Sequence, residues 1–152
     1  MHTLERVQRV AAPVDRVFGF FSDPRNLAAL TPPWLSFRIV GPLPGTLTEG
    51  SRLEYRIRWA AFRLRWVTRI TRWRPNEEFQ DVQESGPYAA WIHTHRFRPD
   101  GDGVLMEDRV EYALPFGPLG RLVHAARVRR QLEAIFDYRR KAIAALFPGG
   151  GP

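Results

Sequence analysis

Apolar and polar residues alternate along the middle of the chain with the period of two that is typical of half-buried strands. This pattern, with the turn residues that interrupt it, predicts strands at residues 3–10, 34–40, 51–59, 62–73, 77–84, 88–99 and 104–114. Short turns join the later strands, so consecutive strands should pair antiparallel. The sequence therefore predicts an antiparallel sheet that has one polar face and buries the other.

Two regions have the 3.6-residue period of a helix instead. A helix that begins near Pro13, and a second short helix at residues 25–30, follow the first strand. A long helix is predicted at residues 119–147, and it alone is large enough to cover the sheet. We therefore expect an α+β fold in which a curved antiparallel sheet of about seven strands, with two short helices after strand one, wraps on a long C-terminal helix. Residues 1–147 are expected to form a single domain and residues 148–152 a flexible tail.

The strand predicted at residues 88–99 carries polar residues on the face that points inward. Trp91, His93, His95 and Phe97 share that face, while arginines alternate on the other. A strand that only fills a core would use Val, Ile or Phe in these places. Because buried imidazoles need hydrogen-bond partners, this strand either belongs to a polar network inside the fold or lines a cavity.

Neighbouring strands place acidic residues on the same inward face. The turn before this strand sets Asp81 opposite Trp91 or His93, and the turn after it sets Asp108 opposite His93 or His95. Directly opposed residues in a sheet lie ~5 Å apart at Cβ. We therefore expect a carboxylate on each side of the histidine pair, with the imidazole pKa values raised and the aspartate pKa values lowered.

Arg139 lies within the apolar stripe of the last helix. One interpretation is that its stem packs while its guanidinium reaches water. The other is that the guanidinium enters the interior and pairs with Asp108, Asp81 or an anionic ligand group.

Three interpretations of the inward polar residues stay open. They form a structural hydrogen-bond network, or the polar end of a ligand cavity that orients a hydroxyl, quinone or carboxylate group, or a site for acid–base catalysis or a divalent ion. The absence of cysteine and of a serine elbow leaves no candidate for nucleophilic catalysis. Several aromatic residues fit either a core or a small-molecule pocket: Trp34, Tyr55, Trp59, Trp66 and Trp91.

Composition and charge narrow the class of protein. The 152 residues, 44% hydrophobic and 26% charged, are typical of a globular domain. No apolar run approaches the roughly 20 residues of a membrane span, and the first residues have no signal-peptide core, so a cytoplasmic location is expected. The net charge of +7 comes almost wholly from arginine. We expect no nucleic-acid partner, because the arginines follow strands and helices without a recognised nucleic-acid motif.

Several motifs resemble a known superfamily. V-A-A-P-V-D-R-V-F-G-F-F-S-D-P at residues 10–24 is similar to the strand-to-helix entry of the SRPBCC superfamily, which includes START lipid-binding domains, birch-pollen-type allergens, polyketide cyclases and coenzyme Q-binding proteins. The remaining motifs resemble uncharacterised bacterial members, some fused to nucleotide-sugar epimerase-like domains: T-P-P-W-L at 31–35, F-Q-D-V-Q-E-S-G-P-Y at 79–88, W-I-H-T-H-R-F at 91–97 and D-R-V-E-Y-A-L-P-F-G at 108–117. The resemblance implies the helix-grip fold of that superfamily, and its members include carriers, regulators and enzymes.

The function expected from these observations is binding of a hydrophobic or amphipathic small molecule (lipid, quinone or polyketide-like) between the sheet and the last helix, without turnover, cofactor or metal. The alternative is a metal-free cyclase- or dehydratase-type enzyme that uses His93 or His95 as acid–base, with Asp108 as a further catalytic candidate. A third class is a regulatory module without a ligand, and apolar residues near the start of the last helix leave a homodimer open. The expected ligand-binding residues are Tyr55, Trp66, Thr68, Asp81, Gln83, Trp91, His93, His95, Asp108, Tyr112, Phe136 and Arg139.

Overall fold

The computed structural model of the protein describes residues 1–59 and 61–149. Its strands are β1 (His2–Val10), β2 (Arg38–Val40), β3 (Arg52–Trp59), β4 (Phe62–Arg74), β5 (Glu78–Ser85), β6 (Ala90–Asp100) and β7 (Gly103–Ala113). Its helices are α1 (Val14–Ser22), two 3₁₀ helices (Pro24–Leu30 and Pro33–Leu35) and the long α2 (Gly117–Leu146). No helix within the described residues is both long and apolar enough to cross a membrane.

In this part of the chain, seven strands form one antiparallel sheet in the order β1-β7-β6-β5-β4-β3-β2. Neighbours in the sheet are neighbours in sequence except for β1, which returns to pair with β7. The sheet, the short helices after β1 and the long C-terminal helix confirm the predicted fold class.

Two apolar clusters fill the space between the sheet and the helices. One packs Val17 and Phe18 of α1 with Phe79, Phe97 and Ile143. The other packs residues of β4, β6 and α2, namely Trp66, Trp91, Leu132 and Phe136. His95 stacks on Phe79 at 4.0 Å between ring centres, and His93 lies 5.5 Å from the Phe136 ring, so the histidine pair sits where the two clusters meet.

The predicted strand at residues 34–40 is wrong over its first half. Pro33–Leu35 forms a 3₁₀ helix, because the preset φ of proline suits a tight helical turn. Ser36 then adopts a left-handed conformation with φ of 45°, and only Arg38–Val40 pairs with β3. The chain therefore crosses this region as a turn, and the predicted strand contributes just the short edge strand β2.

The C-terminal helix begins at Gly117, directly after Phe116, which has φ of 78°. It ends at Leu146, within one residue of the predicted end. The tail predicted at residues 148–152 falls largely outside the described residues, which stop at 149.

Candidate functional site

The register of β6 between β5 and β7 sets the two histidines against the two aspartates. Asp81 faces His93 across the sheet, and Asp108 faces His95, as the turn lengths predicted. His93 Nε2 lies 3.2 Å from Asp108 Oδ1, and His95 Nε2 lies 3.1 Å from Asp81 Oδ2. The predicted histidine–aspartate hydrogen bonds are therefore confirmed.

Each aspartate also lies near the second histidine. Asp108 Oδ1 is 2.8 Å from His95 Nδ1, and Asp81 Oδ2 is 3.8 Å from His93 Nδ1. The two imidazole centres are 3.8 Å apart. His93, His95 and Asp108 are buried, whereas Asp81 is half-buried. We call these four residues together with Arg139 the His–Asp network.

Arg139 closes the network from α2. Arg139 is only 8% exposed, and its Nε lies 3.4 Å from Asp108 Oδ2. Its Nη2 lies 3.4 Å from His95 Nδ1, and its guanidinium carbon is 5.3 Å from the centre of the Phe21 ring. The guanidinium therefore enters the interior and pairs with a carboxylate, and it does not escape to water.

The network shifts the pKa of each member. Burial alone would raise the pKa of Asp108, but the charge of Arg139 and the contacts with both histidines hold it well below its ordinary value. Burial would likewise raise the pKa of Asp81, yet the hydrogen bond from His95 and the charge of His93 lower it.

The two histidines shift in opposite directions. Burial lowers the pKa of His93, and the neighbouring charge of His95 lowers it further. Burial would also lower the pKa of His95, but its contacts with Asp108 and Asp81 raise it. The prediction that both imidazole pKa values rise is therefore wrong for His93, because burial and the nearby charge of His95 outweigh its contacts with Asp108 and Asp81.

These shifts favour one distribution of protons. His95 holds its proton to higher pH than His93, and both aspartates ionise more readily than usual. A neutral His93 donates its Nε2–H to Asp108, which leaves Nδ1 as a lone pair. Within the described residues, that Nδ1 makes no hydrogen bond, since Asp81 is 3.8 Å away. His93 therefore keeps one unused acceptor.

A cavity of about 340 Å³ lies between the inner face of the sheet and α2. This volume is within the range of small-molecule pockets. Aromatic residues form much of its wall, among them Phe21, Tyr55, Trp66, Phe79, Trp91 and Phe136. Polar side chains meet along one stretch of the wall: Thr68, Asp81, His93, His95 and Arg139.

Most of the residues expected to bind a ligand line this cavity: Tyr55, Trp66, Thr68, Asp81, Trp91, His93, His95, Phe136 and Arg139. Three others do not lie on the wall. Asp108 sits behind the histidine pair. Gln83 holds the turn before β6, because its Nε2 donates to the carbonyl of Tyr88 at 2.8 Å. Tyr112 packs against Tyr88 and Trp91 from the side, with ring centres 5.8 and 6.2 Å away.

Trp59 lines the cavity, but Trp34 does not. Trp34 is 53% exposed and packs on Tyr138. Sequence reasoning missed the part of the wall that the chain between α1 and β3 supplies, which includes Asn26, Leu35 and Phe37. In the short helix predicted at residues 25–30, the three-residue spacing of Leu27 and Leu30 places both on one face, and this was the sequence pattern that could have indicated that part of the wall.

Two buried nitrogens have no hydrogen-bond partner within the described residues, Trp66 Nε1 and Arg139 Nε. Trp66 is 6% exposed and lines the cavity. A buried donor without a partner costs about 1–3 kcal/mol. The indole N–H is thus a donor that the fold itself does not use.

Asp81, His93 and His95 are the residues that could hold a metal ion, since their ligand atoms lie within 4.8 Å of one another. Two imidazoles and a carboxylate suit zinc or a similar ion.

A curved sheet that grips one long helix around an internal cavity defines the helix-grip class of proteins. The family model described as "Polyketide cyclase / dehydrase and lipid transport" matches residues 1–147, and the chain belongs to that family. No functionally curated protein matches the chain.

Solved structures share the fold at low sequence identity. Protein CV1439 from Chromobacterium violaceum is 17% identical, with a TM-score of 0.74 over 97% of this chain and 98% of that one. Ara h 8.0201 is 15% identical, with a TM-score of 0.61 over 95% of this chain and 98% of that one. A nucleoside-diphosphate sugar epimerase from Corynebacterium glutamicum is 21% identical over 92% of this chain but only 28% of its own length, with a TM-score of 0.67. At these identities the likeness establishes the fold alone.

Proposed function

We propose that this chain, acting as a single domain over residues 1–147, binds an apolar or amphipathic small molecule of the lipid, quinone or polyketide type between the sheet and α2. The observation that carries the proposal is the cavity of about 340 Å³ with largely aromatic and aliphatic walls and a cluster of polar groups around His93 and His95. Apolar burial contributes roughly 25 cal/mol per Å², and a few polar groups orient the ligand. The family description, which includes lipid transport, supports this function.

An unused polar atom on the wall indicates what the ligand carries. His93 Nδ1 offers a hydrogen-bond acceptor that no described residue uses. A ligand with a hydroxyl group would satisfy this acceptor. A pure hydrocarbon would leave it unpaired.

A second candidate function is acid–base catalysis of the cyclase or dehydratase type. The observation that favours it is that the two imidazoles lie on the cavity wall with ring centres 3.8 Å apart, while their pKa values shift in opposite directions, that of His93 down and that of His95 up. Two titratable groups whose pKa values are pushed apart are suited to act as base and acid. His93 would take a proton at Nδ1, while His95 would supply one.

Extraction of the purified protein with organic solvent, followed by mass spectrometry, tests the binding function. We expect a co-purified apolar compound close to one per chain, and its absence from a Leu64→Trp variant, in which the indole fills part of the cavity. Equal amounts from both proteins would contradict the proposal.

Incubation of the identified compound with wild type and with a His93→Asn variant separates binding from catalysis. Binding without conversion in both proteins supports a carrier. Conversion by wild type that is lost in His93→Asn, while binding persists, would assign the enzyme function instead.

A further inference from the structure

The cavity reaches the surface at one end of the sheet. Among the described residues that line it, Phe116 and His124 are the exposed ones; Phe116 directly precedes α2 and His124 lies in the first turns of α2. The β3–β4 hairpin reaches the same rim, because Trp59 and Leu64 also line the cavity.

Large apolar side chains are exposed on the two elements that meet at this rim, the β3–β4 hairpin and the start of α2 with the residue before it. Phe62 at the hairpin tip is 65% exposed, Phe116 is 82% exposed and Leu122 is 80% exposed. Phe116 also has φ of 78°, a left-handed conformation that is strained for a bulky residue. Exposed apolar groups of this size are typical of an interaction surface, and here the backbone holds Phe116 in a strained conformation.

The outer face of the hairpin beside this rim is unusually basic. At three positions in the β3–β4 pairing, an arginine lies directly opposite another arginine: Arg52 and Arg69, Arg56 and Arg65, and Arg58 and Arg63. Like charges in such positions destabilise a sheet. Glu84 neutralises the arginine pair farthest from the tip, and Glu54 pairs with Arg65. Nearer the tip, Arg56 and Arg63 form no ion pair with any described residue.

The start of α2 repeats this charge pattern. Arg121, Arg127 and Arg130 are exposed. The sequence between Glu111 and Glu133 contains no acidic residue, and residues 55–76 contain none either. Both elements that flank the cavity mouth therefore carry an excess of positive charge, which a partner of negative charge would offset.

We propose that this rim, made of the β3–β4 hairpin tip and the start of α2, docks on an anionic lipid bilayer. Arginine guanidinium groups would bind lipid phosphates, while Phe62, Phe116 and Leu122 enter the acyl boundary. Single-stranded nucleic acid also needs positive charge, but it stacks bases on aromatic rings and has no use for an aliphatic Leu122 at the mouth of an apolar cavity. A bilayer uses all of these features, and it places the cavity mouth against the source of an apolar ligand.

Co-sedimentation with vesicles tests this surface. We expect binding to vesicles of phosphatidylcholine mixed with phosphatidylglycerol, weakened by salt, and little binding to phosphatidylcholine alone. An Arg56→Gln, Arg63→Gln variant should bind about 30-fold more weakly. Phe116→Asn should bind roughly tenfold more weakly with thermal stability kept or raised, because asparagine tolerates the left-handed backbone.

Matched controls lie at the opposite end of the sheet. Arg74→Gln with Arg98→Gln removes the same charge there, and Leu105→Ser removes an exposed apolar group, so both should bind anionic vesicles like wild type.

The proposal is overturned if these controls lose as much binding as the rim variants, if neutral vesicles bind equally well, or if single-stranded DNA binds more tightly than anionic vesicles. Titration of an apolar ligand without vesicles should be unchanged by the rim arginine variant, so failure of docking is distinguishable from failure of the cavity function.

Discussion

Replacement of Arg139 by methionine removes the one cation that α2 contributes to the His–Asp network. Methionine keeps much of the arginine stem, so packing against Phe21 is largely preserved. What disappears is the charge 3.4 Å from Asp108 Oδ2. Asp108 then stays buried with only the two histidines as partners.

Breaking a buried charge pair typically costs about 3–5 kcal/mol. Because His93 Nε2 at 3.2 Å and His95 Nδ1 at 2.8 Å remain beside Asp108, we expect the lower end, about 3 kcal/mol. In a domain of this size, 1 kcal/mol corresponds to about 2–4 °C in Tm, so the Arg139→Met variant should melt roughly 10 °C below wild type.

Urea denaturation and thermal melting followed by circular dichroism measure this loss. The matched control is Arg140→Met, the exposed neighbour, which should change stability by less than about 0.5 kcal/mol. In a double-mutant cycle with Asp108→Asn, the double variant should lose less stability than the sum of the two single losses, since both substitutions remove the same ion pair. If Arg139→Met is as stable as Arg140→Met, the ion pair carries no stability and the reasoning fails.

Three further predictions follow from the same site. The pKa of His95 in the folded state is raised above its ordinary value of about 6.5. The free energy of unfolding should therefore fall as the pH rises from about 6.5 through the folded-state pKa. His95→Gln should lack this fall when urea unfolding is measured across the same pH range. Trp66→Phe removes a buried N–H that has no partner, so affinity for an apolar probe, measured by competition titration, should stay close to that of wild type. Gln83→Ala should cost about 1 kcal/mol in urea unfolding because the turn before β6 loses its side-chain hydrogen bonds, whereas Gln8→Ala at an exposed site should cost less.

The histidine–aspartate register was predictable because strand alternation and turn length decide which side chains face each other. His93, His95 and their aspartates share one parity, and short turns leave little freedom in pairing. The place of Arg139 on the apolar stripe of α2 was also readable from the sequence, but whether its guanidinium reaches water or pairs with Asp108 was decided only by the structure. Local periodicity thus carried the part of the site that is built on regular elements.

The remaining wall of the cavity was not predictable in this way. Residues such as Leu35 and Phe37 belong to a segment of tight turns, whose direction depends on the left-handed Ser36 and on contacts with distant strands. The unequal pKa values of the two histidines likewise depend on distances to Asp108 and Arg139 that a one-dimensional pattern does not contain. The cavity volume is a property of how the helices sit on the sheet.

Titration of N-phenyl-1-naphthylamine, an uncharged apolar fluorophore, into the purified protein tests the central claim that the cavity between the sheet and α2 binds an apolar molecule. Wild type should show saturable enhancement of fluorescence at one site per chain, and Leu105→Trp on the outer face should match it. Leu64→Trp, which fills the cavity from β4, should abolish the saturable signal while its circular dichroism spectrum stays that of wild type. Saturable binding that is equal in Leu64→Trp and wild type would place the probe elsewhere and contradict the account.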